Sequence, residues 1–230
     1  MLEICIDSIE AAEIAMASGA NRLEVCSVLD VGGVTPTAPF FRLLRRGCEL
    51  PLVALVRCRG GDFVHSEREK LLMMDEVREL CDAGADAVAV GSLLPNGDLD
   101  LGFLGQVRAV LPCQELVVHR AIDVAKFEEG MISSLRNVGV DRILTSGGAD
   151  RADQGLDRLN LWNADPHQRL QVLPGGGVRP TNARRILEAT RCKQLHGSFR
   201  HPQHRAGLLP DPSWIAETRA ILEDYRRGTS

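Results

Sequence analysis

The chain has 230 residues and a net charge of −4 with no concentrated basic patch, which argues against a nucleic-acid partner. Its apolar fraction of 44% is that of an ordinary soluble domain, and no apolar run reaches the ~18 residues needed to span a bilayer, so no membrane partner is expected. Seven cysteines without a C-x-x-C pair point to reduced thiols, and the opening Leu2-Glu3-Ile4-Cys5-Ile6 lacks the basic start of a signal peptide, so a cytoplasmic protein is expected.

Taken in order, Leu2–Ile6 reads as a strand, followed by a helix capped at Asp7-Ser8 and ended by Gly19. Arg22–Cys26 is strand two, followed by a glycine loop and a helix near 38–46. Leu52–Arg57 is strand three; Ser66 then caps a long helix reaching about Asp82. Ala85–Val90, Glu115–His119 and Arg142–Thr145 are strands four to six, with helices near 100–110, 124–138 and 153–165. Leu170–Leu173 and Gln194–His196 are strands seven and eight, and Asp211-Pro212-Ser213 opens a last helix over about 211–226.

Eight strand-then-helix units predict an α/β fold, a single-domain TIM (β/α)8 barrel over residues 1–230. A doubly wound open sheet is the alternative, but its phosphate fingerprint after strand one is missing. A short repeat supports the barrel: Gly19-Ala20-Asn21-Arg22, Gly84-Ala85-Asp86-Ala87 and Gly139-Val140-Asp141-Arg142 lead into strands two, four and six.

Alternation along each strand sends Glu3, Cys5, Arg22, Glu24, Cys26, Val53, Leu55, Arg57, Val117, His119, Gln194, His196 and Ser198 into the barrel. Ala87, Ala89 and Gly91 leave room there. Barrel cores are normally filled by branched apolar side chains, and burying an unpaired charge costs several kcal/mol. Such residues are therefore either a mutually satisfied network, for example Arg22 or Arg57 with Glu24, or a working site.

Several ordered segments resemble the CutC family of copper-homeostasis proteins. They are Leu2-Glu3-Ile4-Cys5-Ile6-Asp7-Ser8, Arg22-Leu23-Glu24-Val25-Cys26-Ser27, Gly33-Val34-Thr35-Pro36, Arg59-Gly60-Gly61-Asp62-Phe63, His119-Arg120-Ala121-Ile122-Asp123, Leu144-Thr145-Ser146-Gly147-Gly148 and Pro174-Gly175-Gly176-Gly177. The resemblance covers about residues 2–200. It implies a cytoplasmic barrel, a homo-oligomer, and a Cu(I) site on Cys5 and Cys26. The chain departs from the family pattern at Cys58, His65, Ile122 and Gly197; the last removes a cysteine that could have been a soft ligand.

Three functions compete on these residues. Copper handling would use Cys5 and Cys26 on neighbouring strands, with His196 as a candidate third ligand, because thiolates suit Cu(I). An enzyme acting on a small phosphorylated or carboxylated substrate would hold the anion at Arg59, Ser146, Gly147, Gly148, Gly175, Gly176, Gly177 and Ser198. Glu3, Glu24, Arg57, His119 and Asp123 would then form its catalytic set for lyase or isomerase chemistry. Only three lysines occur (Lys70, Lys126 and Lys193) and none is expected at the active face, which disfavours a Schiff base. A divalent-metal isomerase using Glu3, Glu24, His119 or His196 ranks last, since Arg57 already offers those carboxylates a partner.

Overall fold

The computed structural model describes residues 1–111, 113–127, 129–164, 170–201 and 208–228. Its strands are β1 (Leu2–Ile6), β2 (Arg22–Val25), β3 (Leu52–Val56), β4 (Ala87–Val90), β5 (Glu115–Val118), β6 (Arg142–Thr145), β7 (Gln171–Pro174) and β8 (Leu195–Gly197). The helices are α1 (Ile9–Ala17), α2 (Ala38–Gly47), α3 (Glu67–Asp82), α4 (Leu101–Val110), α5 (Met131–Val138), α6 (Leu156–Asn163), α7 (Pro180–Thr190) and α8 (Pro212–Gly228). Every recorded strand pairing is parallel, in the order β7-β6-β5-β4-β3-β2-β1-β8. This is the nearly closed (β/α)8 barrel expected from the alternation. At the β7–β8 seam the Gln194 side-chain amide donates to Val172 O at 3.3 Å and to Gln171 Oε1 at 3.2 Å. No helix among the described residues is long and apolar enough to cross a membrane.

Two apolar layers follow directly from the strand period of two. Leu2, Ile4, Ile6, Leu23, Val25, Leu52 and Ala54 belong to the larger cluster shared with the helices. Cys5, Cys26, Val53, Leu55, Ala87, Ala89, Val117, Leu144 and Leu173 form the separate cluster inside the barrel. The inner set carries short side chains on β4, and Gly91 just beyond it lets the His119 ring approach. A Cβ at Gly91 would lie 2.8 Å from ring atoms of His119.

The short repeat has a structural task. Gly19, Gly84 and Gly139 all take positive φ, at 99°, 98° and 89°, and end their helices as glycine does most cheaply. Two residues later, Asn21, Asp86 and Asp141 accept an amide in the first two residues of the preceding strand: Leu2 N at 2.9 Å, Leu52 N at 2.8 Å and Leu116 N at 2.8 Å. Each unit thereby pins the start of the strand before it.

Some boundaries differ from the expectation. The fifth helix begins at Met131, not near 124, because Arg120–Asp123 forms a 3₁₀ turn whose Asp123 side chain is engaged by the loop after β6. Lys126 is consequently in a loop, its amide donating to Gly97 O at 2.9 Å. Lys70 sits on α3 and pairs with Asp100 at 2.7 Å. Ser66 caps α3 as expected, in a reciprocal box with Glu69.

Candidate functional site at the C-terminal mouth of the barrel

A cavity of about 220 Å³ opens at the C-terminal strand ends, where barrel enzymes and binding proteins place their ligands. Cys5, Glu24 and His196 line one side of it. Arg57, His119 and Arg120 come from the ends of β3 and β5, and Gly176, Gly177, Arg179 and Ser198 from those of β7 and β8. Leu29, Leu55, Phe63 and Leu144 supply its apolar wall.

The register brings the first side together. Cys5 lies opposite Glu24 across β1–β2, and Glu3 lies opposite His196 across β1–β8. Ligand atoms of Cys5, Glu24 and His196 all fall within 4.8 Å of one another, and all three residues are buried. Behind them, His196 Nδ1–H donates to Glu3 Oε1 at 2.7 Å, which turns Nε2 toward Glu24 Oε2 at 3.7 Å. Cys26 is fully buried behind Cys5, with the sulfurs 3.7 Å apart, and its own Sγ–H donates to Ile6 O at 3.4 Å. The two thiols are thus neighbours, but the residues that converge on one point are Cys5, Glu24 and His196.

Protonation follows from burial and pairing. Burial alone would raise the Glu3 carboxyl, but Arg22, the His196 hydrogen bond and Arg142 outweigh it and hold Glu3 ionised. Burial raises the Glu24 carboxyl, reinforced by the charge of Glu3. The Cys5 thiol is pushed well above its ordinary value by its hydrogen bond with Cys26 and by burial. Burial opposes a charge on His196, yet the carboxylates of Glu24 and Glu3 prevail and raise it. In the metal-free state the cluster is therefore a protonated thiol, a weakened acid and a histidine held toward its cationic form.

The network beneath is not the one expected. Glu24 takes neither Arg22 nor Arg57. Arg22 Nε donates to Glu3, its Nη2 donates to Gln194 Oε1 at 3.0 Å, and Arg142 Nη1 stands 3.8 Å from Glu3. The register explains this, since Arg22 faces Glu3 while Glu24 faces Cys5. Arg142, which is 1% exposed, also pairs with Glu115 at the barrel floor, and burial lowers it to about 10.

On the other side, Arg57 donates to the carbonyls of Val31 at 3.1 Å, Gly33 at 3.2 Å and Gly61 at 2.6 Å, and lies over the Phe63 ring. His119 accepts the Ala121 amide on Nδ1 at 3.2 Å, so its neutral ring carries hydrogen on Nε2. Burial, with the charge of Arg57, lowers His119 to about 3 and keeps it neutral.

The remaining candidates fall into place as follows. Asp123 is enclosed by the turn after β6, accepting from Thr145 Oγ1 at 2.5 Å, the Ser146 amide at 3.0 Å, Ser146 Oγ at 2.9 Å and the Gly148 amide at 3.1 Å. The amides of Ser146 and Gly148 thus hold the protein's own carboxylate. The Gly147 amide is taken by Thr145 Oγ1 at 2.9 Å. Arg59 lies outside the cavity, bound to Glu69 at 2.6 Å and Asp62 at 3.1 Å. Gly175 donates to Thr145 O at 2.9 Å and packs tightly, since a Cβ there would lie 2.5 Å from Leu144 Cδ1. Gly176 and Gly177, both at positive φ, reach the cavity together with Ser198. Beyond the candidate residues, His201 meets the Trp214 ring edge-on at 4.6 Å.

Three residues of the site escaped sequence reasoning. Arg120 and Arg179 line the cavity, and Arg142 closes its floor network. For Arg142 a signal was present, because it occupies an inward position of β6 by the same alternation that placed Glu3. Arg120 and Arg179 stand in loops, where no periodicity assigns a direction.

Comparison with known proteins identifies the family and supports the barrel fold. The family model described as "CutC family" matches residues 1–201. The human copper homeostasis protein cutC homolog is 33% identical over 200 residues, covering 87% of this chain and 73% of its own. A family protein CutC from Histophilus somni is 33% identical over 229 residues, covering 100% of this chain and 93% of its own. A crystal structure of a CutC protein from Streptococcus agalactiae superposes with a TM-score of 0.81 at 25% identity, covering 86% of this chain and 98% of that one.

Proposed function

The chain belongs to the CutC family, and from that premise we propose that it serves copper homeostasis by holding a copper ion on Cys5, His196 and Glu24. The observation that carries this reading is the convergence of those three donors within 4.8 Å. It is reinforced by Glu3, which fixes His196 through Nδ1 and leaves Nε2 as the metal-facing nitrogen. A carboxylate behind a ligating histidine is a recurrent arrangement that orients the ring and raises its basicity.

The donor chemistry fits copper in its reduced state. A thiolate and an imidazole are sufficiently soft for Cu(I), and a buried pocket limits oxidation and water access. Glu24 adds an oxygen donor at the open side. Cys26, with its sulfur 3.7 Å from that of Cys5, is a reserve thiol that joins only when it releases Ile6 O. Cys5 and His196 would hold the ion once deprotonated at Sγ and Nε2. Both protons would leave to solvent, with Glu24 left ionised as the oxygen donor, so copper affinity would rise with pH.

Copper X-ray absorption on protein loaded with one equivalent of Cu(I) tests the assignment. The reading requires one sulfur and one imidazole in the wild type, with the sulfur signal lost in Cys5→Ser. A spectrum unchanged by Cys5→Ser refutes it.

A further inference from the structure

We propose that the mouth of the cavity also binds a small dianion, a phosphate monoester or a dicarboxylate, between Arg57, His119 and Arg179. The reading is independent of copper, because its donors stand on β3, β5 and the β7–α7 turn, not on the Cys5–Glu24–His196 side.

The charges call for an anion. Arg57 and Arg179 both line the cavity, and among the described residues the hydrogen bonds of both guanidinium groups go to backbone carbonyls. Arg57 spends its terminal nitrogens on three backbone carbonyls, and Arg179 donates to Val178 O at 2.8 Å and Arg200 O at 3.5 Å. Carbonyls orient a guanidinium without neutralising it. Arg120, by contrast, is already neutralised by Asp123 at 2.8 Å. Two guanidinium groups without a carboxylate ion pair on the wall of one cavity suit a dianion.

Two unsatisfied donors belong to residues of the cavity wall. Arg57 Nε and His119 Nε2 are buried without a partner among the described residues, in side chains 5% and 4% exposed. Both are obligate donors: Nε of an arginine always carries hydrogen, and His119 Nδ1 is committed as an acceptor. An unmade hydrogen bond on a buried donor costs about 1–3 kcal/mol, and since both atoms are closed off from the cavity surface an oxyanion recovers it only as the Arg57 and His119 side chains turn toward it. Across the cavity, Gly176 and Gly177 take successive positive φ values of 94° and 69° just before α7. That conformation, leading into a helix N-terminus, presents backbone amides to an anion. The cavity of about 220 Å³ has room for a small anion.

Calorimetric titration of metal-free, full-length protein with inorganic phosphate, glycerol phosphate and malonate tests the inference and separates the two anion sources. At least one probe is expected to saturate at roughly millimolar concentration, and Arg179→Met or His119→Phe to weaken it about tenfold or more. Phenylglyoxal modification of Arg179 in the wild type reads the same contact without a substitution, and bound anion should slow it. Cu(I) affinity, measured in parallel, should stay at the wild-type value in both variants, so loss of one site is distinguishable from loss of the other. If no probe saturates, or the variants bind as the wild type does, the dianion site is overturned.

Discussion

Glu3 Oε1 stands 2.7 Å from His196 Nδ1, and this contact joins the barrel's charged floor to its open mouth. Below it, Arg22 and Arg142 keep Glu3 ionised. Above it, His196 presents Nε2 to Glu24 and Cys5.

Glu3→Gln therefore removes two things at once. It leaves the buried Arg22 and Arg142 without their shared counter-charge, a loss of about 3–5 kcal/mol in unfolding free energy, readable by urea denaturation. It also frees the His196 ring, and copper affinity should fall roughly 10–100-fold in whatever protein remains folded.

The two floor arginines are not equivalent. Arg22 bonds both Glu3 and Gln194, whereas Arg142 keeps two buried nitrogens without partners among the described residues. Arg22→Met should destabilise by several kcal/mol, while Arg142→Met, which removes an expensive half-paired charge, should cost about 1 kcal/mol or less. Equal losses in the two variants would show that both guanidinium groups carry Glu3.

Acidification acts through Glu3 and His119 in the same direction. The Glu3 carboxyl is depressed, so its contribution is present above the ordinary carboxylate value of 4.5 and is lost as pH falls below it. His119, lowered from 6.5 to about 3, stays neutral in the fold while the unfolded chain binds a proton; stability from this residue falls between those values as pH drops. His196 has the opposite sign, being raised, so its stabilisation is present below 6.5 and lost as pH rises through its folded value. Histidine ring shifts followed by NMR should show no titration of His119 above pH ~4, and titration of His196 above its ordinary 6.5.

Gly91→Ala should push on His119 without touching the metal side. The new methyl would meet ring atoms at 2.8 Å, and a cost of about 1–3 kcal/mol is expected from overpacking. Thermal unfolding reads the cost, and phosphate or malonate titration should show the weakened anion site with Cu(I) affinity unchanged.

Much of this architecture was legible from residues alone. Alternation placed Glu3, Cys5, Glu24, His119 and His196 inside the barrel, and the repeat at Gly19, Gly84 and Gly139 marked the helix ends. Partner choice was not legible, because it depends on stagger between strands. Only the register puts Arg22 against Glu3 and Glu24 against Cys5. That same stagger brings Glu24 and His196 to Cys5 while the Cys5 and Cys26 sulfurs stay 3.7 Å apart. The glycines after β6 looked like an anion cradle. Part of that cradle is occupied by Asp123, 23 residues from Ser146 in sequence, and pattern could not reveal it.

The account turns on which side chains bind copper. Cu(I) competition against a chromophoric chelator, run on the wild type and on Cys5→Ser, Cys26→Ser, Glu24→Gln and His196→Gln, addresses it directly. Cys5→Ser and His196→Gln are expected to weaken binding by about tenfold or more each, Glu24→Gln by less, and Cys26→Ser least. Wild-type affinity in both Cys5→Ser and His196→Gln would contradict the proposed site.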